Sequence, residues 1–173
     1  LVIDEAHHCF TSDDEDETPP EDWITFVGPT SAGKSRLAND VLGQSEFKVG
    51  AEHGNTTEAD GIPYKNGWSI VDTPGILDGD ELAEIAAAAA RRSKIIVVCL
   101  DGEMYRPTFE WLEHVLTSIK HGNQVLVVPC LTKSDLREAT MPSRDRLKVS
   151  ARLNEQIETL RSTTSGRNIV IEN

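Results

Sequence analysis

Trp23-Ile24-Thr25-Phe26-Val27 runs directly into Gly28-Pro29-Thr30-Ser31-Ala32-Gly33-Lys34-Ser35, and a helical pattern follows to Leu42 before Gly43 stops it. A compact apolar run of β-formers reads as a buried strand, and a glycine just past the last periodic residue marks a helix end. Between them, Gly28–Ser35 matches GxxxxGK[ST]. Glycines let successive backbone N–H groups wrap an anion, and the helix that follows points its positive end at the same place. Lys34 supplies a point charge for the β- and γ-phosphates of a nucleotide, and Ser35 a hydroxyl for Mg²⁺. The strand before and the helix after are the setting this pattern requires. Gly28, Pro29, Thr30, Ser31, Ala32, Gly33, Lys34 and Ser35, with Arg36 in the first turn, are therefore the expected phosphate-binding residues.

Two further motifs follow in order. Asp72-Thr73-Pro74-Gly75 ends a second hydrophobic stretch, so a strand can deliver the Asp72 carboxylate beside the first strand to hold a metal-bound water. Gly75 can offer its N–H to a γ-phosphate. Thr132-Lys133-Ser134-Asp135 ends another buried run. A carboxylate at Asp135 accepts two hydrogen bonds from the N1–H and exocyclic amine of guanine, a donor pair that adenine lacks. Lys133 can cover the ring face with its aliphatic stem, and Thr132 opens the motif. Asp135 thus counts against an ATPase.

The intervening chain alternates short apolar strands with helices. Ile62–Lys65 and Trp68–Asp72 read as strands joined by Asn66-Gly67, a two-residue hairpin signal. Glu81–Arg92 carries the alanine run Ala86–Ala90 and ends on two arginines, which suit a helix C-terminus. Lys94–Leu100 is a strand, Pro107–His121 a helix, Gln124–Leu131 a strand containing Pro129, Ser143–Arg161 a helix, and Asn168–Glu172 the last strand. This alternation predicts an α/β fold: a doubly wound, three-layer arrangement on a mostly parallel six-stranded sheet with one antiparallel hairpin strand.

The three motifs in this order resemble the GTPase superclass of P-loop proteins. In detail they resemble its Era/TrmE-like branch within the translation-factor-related class. Gly33-Lys34-Ser35-Arg36-Leu37-Ala38-Asn39-Asp40-Val41-Leu42-Gly43 is similar to the GKSxLxNxLxG of that branch, Gly54-Asn55-Thr56-Thr57 to its switch I threonines, and Asp72-Thr73-Pro74-Gly75-Ile76 to its DTPG[IL] switch II. The resemblance covers residues 23–173. It implies a G domain that holds GTP or GDP with Mg²⁺ and hydrolyses GTP. Lys34, Thr57 and Gly75 would act in catalysis, and Ser35, Thr57 and Asp72 at the metal, with Thr57 preferred over Thr56. Where Ras-like enzymes place a water-orienting Gln, this chain has Ile76, which implies slow intrinsic hydrolysis, speeded by a partner, a dimer or an ordered switch loop. The other reading is a non-hydrolysing guanine-nucleotide-binding interaction module.

The departures are specific. Ser31 stands where the branch usually has Asn, which counts against potassium activation. Thr132 replaces the usual Asn of the guanine motif. The closing SA[KL] loop would begin where the chain ends, so a G domain truncated before its last motif and final helix is expected. Ser150-Ala151-Arg152 spells a similar motif but lies within a helical pattern.

Of 173 residues, 38% are hydrophobic and 27% charged, ordinary values for a globular domain. The net charge of −12 is uneven: residues 1–22 hold nine acids and no Lys or Arg, leaving −3 for the rest. Residues 1–22 read as an acidic tail or linker and 23–173 as the G domain. Nothing is basic enough to hold a nucleic-acid backbone, and no apolar run is long enough to span a bilayer. Neither nucleic acid nor membrane is therefore an expected direct partner; GTP is, and a homodimer or another protein is admitted. Three cysteines without CxxC spacing fit a reducing interior such as the cytoplasm. The chain begins at Leu1 and reads as a domain excised from a longer protein. Leu1–His8 spells a DEAH-type helicase motif on the wrong side of the phosphate loop, and His7, His8 and Cys9 are too close in sequence to converge on one metal.

Overall fold

The computed structural model describes residues 8–9, 21–49, 56–102, 104–120, 124–133 and 139–172. Its strands are β1 (His8–Cys9), β2 (Glu21–Val27), β3 (Asp60–Pro63), β4 (Ser69–Asp72), β5 (Ser93–Leu100), β6 (Val125–Leu131) and β7 (Ile169–Ile171). Its helices are α1 (Lys34–Leu42), α2 (Asp80–Arg92), α3 (Arg106–Ser118) and α4 (Ser143–Thr163). They form one sheet in the order β1-β3-β4-β2-β5-β6-β7. β2 sits in the middle, parallel to β4 and β5, and β6 and β7 continue the parallel ladder. Only β3 runs against the rest, paired antiparallel to both β4 and β1. The six expected strands and the single antiparallel hairpin are present. The seventh strand, His8–Cys9, lies within the residues expected to be a tail, where two backbone residues extend the edge beside Gly61 and Asp60.

Alternation along β5 shows how the layers form. Ile96, Val98 and Leu100 join Val27, Val125, Val127 and Ile171 beneath α2, α3 and α4, whose Ala87, Ala90, Leu112, Val115, Leu116, Leu153, Ile157 and Leu160 close the main core. Val97 and Cys99 point the other way, where Phe26, Ile70, Ala32, Ala38 and Phe47 pack around α1. Each large aliphatic side chain fully buried in these layers contributes about 2 kcal/mol of transfer free energy, and this holds the sheet between them.

Turns obey local chemistry. Gly43 caps α1 in the left-handed conformation and donates to the Asn39 carbonyl at 2.9 Å. Asn66 and Gly67, both at positive φ, turn β3 into β4 within a short 3₁₀ segment, Lys65–Gly67. Pro129 pairs with Val98 of β5, whereas β7 reaches β6 only as far as Val127. From there β6 is an edge strand on its β7 side, where a missing N–H is tolerated. Ser150-Ala151-Arg152 lies inside α4. No helix among the described residues is long and apolar enough to cross a membrane. Leu1–His7, the acidic stretch from 10 to 20, and Asp135 lie outside the described residues.

Candidate functional site

Parallel pairing brings the C-terminal ends of β2, β4, β5 and β6 to one edge, where ligands bind in open α/β sheets. The residues that leave these strands are Gly28, Thr73, Asp101 and Thr132. Gly28 takes φ 144° and packs so tightly that a Cβ there would overlap the Cys99 carbonyl of β5. Ser31 and Gly33, at φ 59° and 89°, curl the loop back into α1. The first turn of α1 carries no acid, so its free N–H groups and positive end remain available to an anion.

Lys34 is 7% exposed and donates to the carbonyls of Gly28 at 3.1 Å and Pro29 at 3.0 Å. Burial lowers its pKa, and the charge of Asp72 works against that shift. Asp72 is 1% exposed; its Oδ2 accepts from Ser35 Oγ at 2.6 Å and Thr56 Oγ1 at 3.4 Å. Burial raises its pKa, opposed by the Ser35 hydrogen bond and the Lys34 charge. Its other oxygen, Oδ1, is buried without a hydrogen-bond partner. A carboxylate oxygen is seldom left so in a dry site. Two hydroxyls and a carboxylate are hard oxygen donors of the kind Mg²⁺ takes alongside water and phosphate, and the orphaned Oδ1 supplies the acceptor that such an ion or its water requires. These residues fit the metal.

Thr56 is half-buried against this carboxylate and Thr57 is exposed. Of the two threonines it is Thr56 whose hydroxyl reaches Asp72, whereas the expectation for the metal preferred Thr57. Thr73 donates to the Phe26 carbonyl at 2.8 Å and ties the Asp72–Gly75 turn to β2. Ile76 is 4% exposed and its N–H reaches the Gly28 carbonyl at 3.3 Å, so this side chain belongs to the packed interior. Asp80 opens α2.

On the base side, Thr132 turns inward. Its hydroxyl lies 2.5 Å from the Ala32 carbonyl and 3.1 Å from that of Leu100, while its N–H reaches Leu100 O at 2.8 Å. It fastens the end of β6 to the phosphate loop. Lys133, at φ 52°, extends to Asp101 with Nζ–Oδ2 at 3.2 Å. Ser31 and Arg36 are exposed, Pro29, Thr30, Gly33 and Ser35 half-buried, and Ala32 buried.

Two contacts reach beyond the residues expected to bind. Thr30 donates its hydroxyl to the Asp78 carboxylate, joining the phosphate loop to the turn after β4. Asn39, buried within α1, donates Nδ2–H to Phe47 O at 2.8 Å, and its Oδ1 accepts from Glu46 N at 3.0 Å and Phe47 N at 2.9 Å. The Asn of the GKSxLxNxLxG pattern was the available signal for the second.

Comparison with known proteins agrees with this geometry. The model of the family described as 50S ribosome-binding GTPase matches residues 23–133. The chain is 36% identical over 115 residues to GTPase Der of Bacillus thuringiensis (strain Al Hakam), a match covering 59% of this chain and 26% of Der. It thus spans about a quarter of the length of the curated relatives it matches. A dimerization-deficient mutant of Toc33 from Arabidopsis thaliana superposes with TM-score 0.60 at 17% identity, covering 86% of this chain and 68% of that one. Era in complex with MgGDPNP and a segment of 16S ribosomal RNA gives TM-score 0.54 at 19% identity, covering 89% and 51%. At such identities the structural likenesses speak for the fold.

Proposed function

The chain belongs to the family of 50S ribosome-binding GTPases, and on that premise we propose that it binds GTP with Mg²⁺, hydrolyses it slowly to GDP and phosphate, and serves as a nucleotide-controlled switch. The observation that carries this reading is the buried pair Lys34 and Asp72 beside half-buried Ser35, with Asp72 Oδ1 lacking a partner. A dry ammonium and a dry carboxylate are costly unless a ligand uses them.

In this reading the amides of Gly28–Ser35 clasp the phosphates, and Lys34 exchanges the Gly28 and Pro29 carbonyls for β- and γ-oxygens. Mg²⁺, when held by Ser35, Asp72 and Thr56, supplies neutralisation of the charge that builds on the phosphates. Gly75 offers its N–H to the γ-phosphate. Thr132 keeps the base motif in register with the cradle, Lys133 covers the base, and Asp135 selects guanine. The side chain of Ile76 cannot orient water, so turnover depends on a group brought by a partner, a second copy or an ordered loop.

Titration of GDP, GTP and ATP with and without Mg²⁺, followed by phosphate release from GTP, tests the proposal. Guanine nucleotides should bind in preference to ATP, GTP should gain from Mg²⁺, and release should be steady but slow. Equal affinity for ATP sinks the guanine assignment. The burial of Ile76 favours one second reading, a binding module without hydrolysis; bound GTP that stays intact through prolonged incubation would establish it.

A further inference from the structure

We infer that Thr30 and Asp78 together set the preference of this protein for GDP over GTP, by drawing the turn after β4 onto the phosphate loop where a third phosphate would enter. The inference rests on the guanine-nucleotide reading above and adds a pair of specificity-determining residues to it.

Three contacts close the two loops on each other. The Ile76 N–H reaches Gly28 O at 3.3 Å. Thr30 Oγ1 donates to Asp78 Oδ2. Gly75 lies so close to Thr30 that a Cβ on it would overlap the Thr30 hydroxyl and the Asp78 carboxylate and approach Thr30 N to 2.9 Å. Asp78 is held in this position by a tight turn, its N–H bonded to Gly75 O at 3.2 Å. It is also near enough for its charge to act on the Lys34 ammonium.

The two nucleotides meet this arrangement differently. The phosphates of GDP need only the amides around Gly33–Ser35 and Lys34, all of which lie on the loop side of the closure. The extra phosphate of GTP extends toward the Gly75 N–H. It meets a Thr30 hydroxyl already engaged and an Asp78 carboxylate of like charge, and like charges at such range repel. GTP therefore has to part Thr30 from Asp78, and GDP does not. A ligand shifts an equilibrium only through its differential affinity for two states, and this contact supplies the difference.

The test is equilibrium binding of GDP and a non-hydrolysable GTP analogue, with Mg²⁺, to the parent chain and to Asp78→Ala, Thr30→Val, the double variant and Thr30→Ser. The ratio of GTP-analogue to GDP affinity should rise about tenfold in Asp78→Ala, with its GDP affinity held within about twofold, and about threefold in Thr30→Val. Thr30→Val should add nothing once Asp78 is gone, because the two act as one contact. Thr30→Ser keeps the hydroxyl and should keep the parent ratio. A ratio unmoved in Asp78→Ala overturns the inference, as do additive effects in the double variant, which would leave Asp78 acting by charge without Thr30. A parent that binds neither nucleotide overturns the guanine-nucleotide reading itself, a result distinct from a parent that binds both with a ratio no variant moves.

Discussion

The phosphate corner and the base corner of the site share one sheet edge but are built on opposite principles. Around Lys34, Ser35 and Asp72 the charges are almost dry: Asp72 is 1% and Lys34 7% exposed, and burial moves the ionisation of both. Around Lys133 and Asp101 the ion pair is open to water, with side chains 37% and 41% exposed. A dry corner concentrates electrostatic energy, whereas an exposed pair is screened and contributes little. Grip on the nucleotide should therefore come from the first, and selection among nucleotides from shape and hydrogen bonding at the second. Thr132, bonded to Ala32 O, is the joint between them.

Lys34→Ala tests this contrast most severely. It should weaken GDP and GTP binding about a hundredfold, as expected from losing roughly 3 kcal/mol of charge-assisted hydrogen bonding in a desolvated site. Calorimetry or fluorescence titration reads it directly, and a loss below about fivefold would break the comparison.

Asp72→Asn comes next. The advantage that Mg²⁺ gives to GTP should fall at least about tenfold. The melting temperature of the nucleotide-free, metal-free protein should hold or rise, because Asn removes a buried charge. The sign follows from linkage. Since burial raises the Asp72 pKa, the folded state holds that proton more tightly than the unfolded chain. The metal-free parent should gain stability from Asp72 as pH falls through the raised value, then gain no more below the ordinary carboxylate range. The Mg²⁺ effect on GTP affinity should fade in that same window. Melting curves of parent and variant across pH, differenced, isolate this group from Lys34, whose lowered pKa acts in the opposite direction.

Thr132→Val should cost about 1 kcal/mol of stability in denaturant unfolding, the usual worth of a buried hydrogen bond, with about a fivefold loss of guanine-nucleotide affinity as the corners lose register. An unchanged affinity would show that the joint is not needed. Smallest is Lys133→Ala, where about a threefold loss, shrinking further at high salt, is expected of an exposed cation. A loss as large as that at Lys34 would mean that the base corner is as dry as the phosphate corner.

The sequence discloses those parts of this design that repeat with a period or sit at fixed spacing. β2, β5 and β6 are legible because each carries a dense apolar run, and α1 because Gly43 follows its last periodic residue. The order of the three motifs is enough to bring Gly28, Asp72 and Thr132 to one edge. Ends are less sharp: α4 continues to Thr163, two residues past the expected Arg161, and α3 starts at Arg106 and ends at Ser118. Nothing periodic marks His8–Cys9 as a strand; its pairing depends on the exposed edge of β3. Thr56 and Thr57 are chemically identical neighbours, and only the folded backbone decides which faces Asp72. Likewise Asp78 carries no motif, and its bond to Thr30 spans 48 positions. The turn inward of Thr132 was also hidden, because a hydroxyl at a strand end serves a base or a carbonyl equally well.

The three hydrogen bonds that Asn39 makes to residues 46 and 47 have a mechanical result. Although α1 finishes at Leu42, the chain is pinned again at Phe47, whose ring is wedged beside Phe26, Ala32 and Cys99. Residues 44–47 are thereby held back against α1 rather than hanging from Gly43 alone. The chain leaving α1 is thus moored to the underside of the phosphate loop, and the Phe47 ring plugs that floor against solvent.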